Sequence, residues 1–239
     1  MGKLVAYSGF SPSNYLEQPY NPDLDFGTGD FCVMGWVKSS GIAGDQTIVS
    51  RFASDSASPD WRLELKSSTG YIGFRVNSTD IVTGSQNLAN GIWAFVTAVR
   101  SAGVVSIYVD NSLVGSAANT TDLDNTDALL GVGIVPVASP TSYFNGSLAL
   151  LRISATAPTA DQIAKIYNDE KVLFQENAQA TLYGTSDAVT ALAHDPVTDL
   201  LHVGTSDGRS VFQGLRRVDN TTDAVGTAIS ASNGMVAEE

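Results

Sequence analysis

The chain is 239 residues long, 43% hydrophobic but only 16% charged, with a net charge of −12 at pH 7. That length and apolar content allow one large β domain with a small extension, or two small domains, and surface polarity falls to Ser, Thr, Asn and Gly. The balance excludes a nucleic-acid partner, which needs a basic stripe. No apolar run approaches the length of a membrane span, so membrane insertion is excluded too. The single cysteine, Cys32, lies in the apolar run Phe31–Met34 and reads as a small buried hydrophobe.

In chain order, Leu4–Tyr7 begins the chain with a short apolar run that lacks the long h-region of a secretory signal. Tyr15–Glu17 is a short extended piece, followed by turns at Pro19–Asp23 and Asp25–Asp30. Phe31–Lys38 and Gln46–Phe52 are strands, and Ser54–Pro59 is a surface loop. Trp61, Leu63 and Leu65 alternate on one face of a strand, and Tyr71–Val76 returns antiparallel to it. Asn77–Asp80 reads as a turn. Gly91–Arg100 and Val105–Asn111 form a hairpin around a Gly-containing loop, Ser101–Val104. This hairpin reads as the centre of a sheet, with Trp93 in the core.

Ser112–Ser116, Leu129–Ile134 and Phe144–Ile153 are further strands. The one helix signal is Thr159 followed by Gln162 three residues on, with Ile163, Ile166 and Tyr167 at helical spacing. Short strands with frequent turns and a single helix define an all-β class: a two-sheet antiparallel sandwich with one short helix at its C-terminal end. The sandwich is assigned to residues 1–172. Residues 173–239 read as a small β appendage and extended tail for assembly. Its three strands are Val189–Asp195, Leu200–Thr205 and Gly208–Phe212, and the tail runs from Asp219.

The blocks Tyr15–Glu17, Asn21–Gly27, Gly29–Phe31, Trp36–Lys38, Ile48–Ser50, Gly91–Trp93, Ile107–Asn111 and Phe144–Gly146 stand in an order that resembles laminin-G-like, concanavalin A-like jelly-roll domains, and the helix from Thr159 to Tyr167 completes it. The resemblance covers about residues 5–170 and implies two curved antiparallel sheets packed face to face, with Trp36 and Trp93 as core residues. Where such domains usually carry an Asp-Glu pair on the last strand, this chain has Ala149 and Leu150. That departure implies a strand edge facing another chain or the extension, and it weakens any calcium site carried over from the family. The segment Val189–Phe212 resembles one blade of a propeller, and one blade cannot close a ring. Jelly roll and tail together resemble virion proteins of tailed bacteriophages, in tail fibres or as capsid decoration.

The chemistry on offer is limited. Glucanases of this fold place several carboxylates along one strand, and a glycosidase needs two. The strand Leu63–Lys66 offers only Glu64, which reads as a solvated outward residue. No G-x-S-x-G is present, and His194 and His202 both lie in the appendage. The chain is therefore expected not to be an enzyme, and no cofactor is implied. Asp122, Asp124 and Asp127 alternate in a polar loop and are the candidate cation ligands, for calcium if for any metal. Trp61 and Tyr71 are the candidate sugar-stacking rings, Trp61 because it follows a Ser/Asp/Pro loop, although an indole in a strand is more often packed.

The expectation is a structural or adhesive virion protein that exposes a jelly roll to host-surface glycans or to the particle. It would self-associate as a homo-oligomer and dock on other virion proteins through its C-terminal segment. The alternative is a carbohydrate-binding module of a bacterial surface or secreted protein.

Overall fold

Period-two alternation of large apolar residues sets the architecture. Along one strand Trp61, Leu63 and Leu65 are buried to 1% or less, and along its neighbour so are Ile72 and Phe74. Both point to one side, and a second sheet supplies the opposing layer. The computed structural model describes residues 6–53, 60–137, 142–174, 182–186, 188–214 and 216–226. The expected run at Leu4–Val5, the loop Ser54–Pro59 and the end of the tail, 227–239, lie outside them. The chain divides into two compact units, Met1–Lys171 and Val172–Glu239.

The first unit contains β1 (Tyr7–Ser8), β2 (Leu16–Gln18), β3 (Phe31–Ser39), β4 (Gln46–Phe52), β5 (Trp61–Leu65), β6 (Tyr71–Val76), β7 (Thr79–Asn87), β8 (Ala94–Ser101), β9 (Val104–Val109), β10 (Ser112–Ala118), β11 (Leu129–Val132) and β12 (Gly146–Ser154), followed by α1 (Ala160–Glu170). One sheet runs β1-β12-β3-β8-β9-β10 and the other β2-β11-β4-β5-β6-β7, all pairings within them antiparallel. The jelly-roll sandwich, with its short helix, is therefore the fold of this unit. Its core lies between the sheets, where Phe31, Val96 and Ile107 from the first meet Ile48, Leu63 and Phe74 from the second. Each such side chain contributes about 1.5–3 kcal/mol by leaving water.

The β8–β9 hairpin has the two-residue turn Ala102-Gly103, with φ of 49° and 76°. Two left-handed residues in succession match the strand twist, which is why a glycine is needed there. Trp93 lies just before β8, half-buried and outside the core cluster. Its expected place between the sheets is corrected: Ala94, Val96 and Ala98 face the core, so parity puts Trp93 with Phe95 on the other side. Trp36 also lies on that outer side, 3% exposed.

The helix α1 covers this outer side. Thr159 and Gln162 form a reciprocal capping box at its start. Tyr167 stacks on Trp36 at 5.8 Å between ring centroids. Glu170 accepts from Trp36 Nε1 at 2.8 Å and from Arg152. Ala149, the ladder partner of Trp36, is 2% exposed. Leu150 is the extra residue of a β-bulge, at φ 50°, and the bulge returns Leu151 to the core side after Leu148. The expectation that Ala149 and Leu150 face another chain or the extension is corrected for Ala149, which is buried within the first unit opposite Trp36. Strand β12 is paired by β3 along its length and by β1 at Ser147 and Leu148, with Arg152 reaching Glu170 of the helix.

Two buried arginines hold the loops at one end of the sandwich. Arg51, 1% exposed, donates to the carbonyls of Leu24, Leu123 and Asn125 and pairs with Asp25. Arg100 donates to Gly27, Gly29 and Thr121. A guanidinium has enough donors to satisfy several buried carbonyls at once.

The second unit contains β13 (Val189–Asp195), β14 (Leu200–Thr205), β15 (Gly208–Gln213) and β16 (Arg216–Thr221), one antiparallel sheet in sequence order. The fourth strand is one more than the sequence reading expects. Asp219, read as the start of the tail, lies within it.

Candidate functional site

The site is built on the side of the second sheet that faces away from the core. With Trp61, Leu63 and Leu65 inward, Arg62, Glu64 and Lys66 turn outward. On β6 the same alternation turns Tyr71, Gly73 and Arg75 outward. Glu64 lies opposite Thr47 on β4 and Gly73 on β6, and Gly73 opposite Thr83 on β7. The row thus crosses four strands, with no side chain at Gly73. A Cβ there would come within 3.3 Å of Lys66 Cε, so the glycine leaves room for the lysine.

Glu64 is 0% exposed, which corrects its expected place as a solvated residue. Cations on both sides of it along its own strand, Arg62 and Lys66, and Arg75 from β6 surround it. Lys66 Nζ lies 2.7 Å from Glu64 Oε1 and 2.5 Å from Asp80. Arg75 lies 3.6 Å from Glu64, 3.9 Å from Asp80 and 4.0 Å from Asp45. Arg62 lies 3.4 Å from Asp60 and 3.9 Å from Glu64. Three cations thus meet four carboxylates, so the patch carries no excess positive charge. Glu64 Oε2 and the Nε atoms of Arg62 and Arg75 have no hydrogen-bond partner among the described residues.

A cleft of about 360 Å³ opens on this lattice, lined by Asp45, Lys66, Ser68, Thr69, Tyr71, Arg75, Asp80 and Thr83. Its turn is fixed by Gly70, at φ 71°, where a Cβ would strike Asn87 at 2.3 Å. Burial alone would lower the Lys66 pKa, but its bonds to Asp80 and Glu64 outweigh that and raise it. Burial would raise Asp45, but the backbone N–H and side chain of Ser67, with Lys66 and Arg75, hold it below the usual carboxylate range. Both groups are charged at neutral pH. Such fixed charges serve to hold hydroxyl groups; neither group is poised for proton transfer, which calls for a pKa near the working pH.

Of the expected site residues, Tyr71 is in this cleft, half-buried. Trp61 is not, and its candidacy as a sugar-stacking ring is corrected. It is 1% exposed, stacked 6.0 Å from Phe74 and 6.4 Å from Phe31, on the core side of the strand. Its phase with Leu63 and Leu65 was the signal for this. Tyr143 is a further large aromatic outside the two candidate rings. It bridges to Thr47, the neighbour of Glu64, and is 45% exposed. The ladder therefore places Tyr71 in the cleft and the exposed Tyr143 next to Thr47, one strand from Glu64.

The candidate cation ligands do not converge, and that assignment too is corrected. Asp122 Oδ1 accepts from the Asp124 backbone at 3.0 Å, and Asp124 accepts from Gly27 at 2.6 Å. Asp127 lines a separate cleft with Glu17 and Phe52. Asp122 is used within its own loop and Asp124 ties that loop to Gly27, and among the described residues no group of three His, Cys, Asp or Glu could hold a metal ion.

Residues 11–164 match the sequence profile of the concanavalin A-like lectin/glucanases superfamily, over more than half of the chain. The chain belongs to this superfamily. Known structures share the fold at low identity. Domain 4 of AbnA, an extracellular arabinanase from Geobacillus stearothermophilus solved with arabinotriose, is 19% identical at a TM-score of 0.53, over 70% of this chain and 82% of that one. The CBM40 of the Ruminococcus gnavus IT-sialidase, solved with α2,3-sialyllactose, is 10% identical at 0.51, over 70% and 100%. The botulinum neurotoxin serotype C1 binding domain is 14% identical at 0.50, over 83% of this chain but only half of that one. No curated protein sequence matches the chain. No helix among the described residues is long and apolar enough to cross a membrane.

Proposed function

We propose that this is a non-catalytic adhesive domain that binds a neutral glycan on the outer side of the β4–β7 sheet. The observation that carries this reading is a half-buried tyrosine ring, Tyr71, in the cleft of a charged lattice that has no net positive charge, with the exposed Tyr143 bridged to Thr47 on the same sheet. Aromatic rings stack on the apolar faces of sugars. Carboxylates and guanidinium groups hold vicinal hydroxyls with paired charge-assisted hydrogen bonds. An acidic glycan would meet cations already neutralised by Glu64, Asp80 and Asp45, so neutral sugars fit better. The sugar complexes of the arabinanase domain and the CBM40 are those proteins' own, and they agree with binding as a use of this fold.

The setting we propose is the particle of a tailed bacteriophage, in a tail fibre or on the capsid surface. The jelly roll would face outward, and the C-terminal segment would hold the copies to one another and to other virion proteins. The order of domains and the acidic, hydroxyl-rich surface support it. Many weak sites on one particle then bind by avidity. A glycan array followed by calorimetry tests the binding. Neutral oligosaccharide hits support the reading, and a blank array overturns it. Capsid or tail genes beside the coding gene would support the setting, while genes for a secreted polysaccharide-degrading system would point to a bacterial carbohydrate-binding module.

A further inference from the structure

The second unit has two open sheet edges. Its four strands lie side by side, and among the described residues nothing pairs with the outer edge of β13 or of β16. Natural edge strands are usually guarded by lysine, proline or a covering loop. β13, Val-Thr-Ala-Leu-Ala-His-Asp, contains neither residue, and it exposes Val189 and Leu192 to 53% and 66%. Val218 on β16 is 41% exposed. The inner strands bury Val203, Val211 and Phe212, so the exposure is confined to the two edge strands.

The register fits a second copy of the chain as the partner. One ladder row reads His194, Leu201, Phe212, Arg217, and the next but one reads Leu192, Val203, Ser210, Asn220. β13 and β16 are antiparallel to each other, so a second copy laid against β16 in the same orientation would continue the alternation without interruption. Extending the rows by one strand sets Asp195 of one copy beside Arg216 of the next, and Leu192 beside Asn220. His194, hydrogen-bonded to Asp199 of its own turn at 3.0 Å, comes opposite Arg217. The acidic end of one edge meets the basic end of the other, and no carboxylate faces a carboxylate.

We infer that copies of this chain associate head to tail through these edges, β13 of one copy pairing antiparallel with β16 of the next. Such a heterologous contact repeats, and it closes into a ring or extends as a filament according to the sheet twist. This rests on the self-association proposed above and names where it occurs. It makes no use of the glycan cleft.

The test uses the full chain. Leu192→Lys places a guard on an exposed position and leaves folding intact. Light scattering at high protein concentration should find an oligomer for the wild type and a single-chain mass for L192K, with unchanged circular dichroism. A short bis-maleimide should join L192C/N220C chains into a ladder of covalent oligomers, while either single-cysteine variant stays uncrosslinked. Cys32 is 1% exposed and does not compete. An oligomer that persists in L192K, or one that L192C alone cross-links, overturns the edge pairing but leaves self-association standing. A monomeric wild type overturns both.

Discussion

Trp61→Ala separates a scaffold role from a binding role. The indole is 1% exposed and packs among Phe26, Phe31 and Phe74 with centroid distances of 6.0–6.4 Å. Truncating a buried tryptophan to alanine costs about 3–5 kcal/mol, from lost transfer energy and the cavity left behind. A domain of this size has about 5–15 kcal/mol in all, and each kcal/mol moves Tm by about 2–4 °C. The expected loss is therefore about 6–20 °C in a calorimetric melt. Trp61→Phe should behave differently. The indole Nε1 is buried without a hydrogen-bond partner among the described residues, a group that costs about 1–3 kcal/mol. Phenylalanine removes that N–H while keeping most of the ring contact, so the two changes largely offset and Tm should move by only a few degrees. Calorimetry and glycan binding are measured on both variants. A W61A protein with wild-type Tm and no glycan binding would refute the core placement.

Two further outcomes follow from the same packing. Burial would raise the Asp25 pKa, but the Asn125 N–H, the Tyr20 hydroxyl and Arg51 hold it below its ordinary value of 3.8. A depressed carboxylate contributes stability that is fully present above 3.8 and lost as pH falls through the folded value. Acid unfolding should therefore steepen below about pH 4, and Asp25→Asn, which leaves buried Arg51 without its counter-ion, should flatten that limb and cost about 3 kcal/mol at neutral pH in urea titrations. Burial pushes the Cys32 thiol up to about 12. Ellman's reagent should leave it untouched in the native protein and titrate one thiol in denaturant; rapid native labelling would contradict its burial.

The strands that were easy to read are those with strong apolar alternation, such as β3, β5 and β8. Strand β7, Thr-Asp-Ile-Val-Thr-Gly-Ser-Gln-Asn, and strand β16, Arg-Arg-Val-Asp-Asn-Thr, are mostly polar, because edge strands bury little. Their pairing comes from neighbours rather than from their own composition. The helix was legible because its capping box is a local signal. The bulge at Leu150 was not, because it is set by the fit of β12 to β3. The candidate site was legible only at Tyr71. Glu64 is paired by Arg75, which Asp80 in turn holds, and these residues come together only once β5, β6 and β7 pair. The outward run Arg62, Glu64, Lys66 was visible, but charges in alternation read as a solvated face until a cross-strand partner is known.

The most direct test of the binding face is calorimetric titration of the best neutral oligosaccharide from a glycan array into wild type, Tyr71→Ala and Tyr143→Ala. Removing a stacking ring should weaken binding by about two- to tenfold, in line with the roughly 0.5–1.5 kcal/mol that aromatic pairs contribute beyond area, while Tm stays within about 2 °C because neither ring lies in the core. Unchanged affinity in both variants would contradict the account.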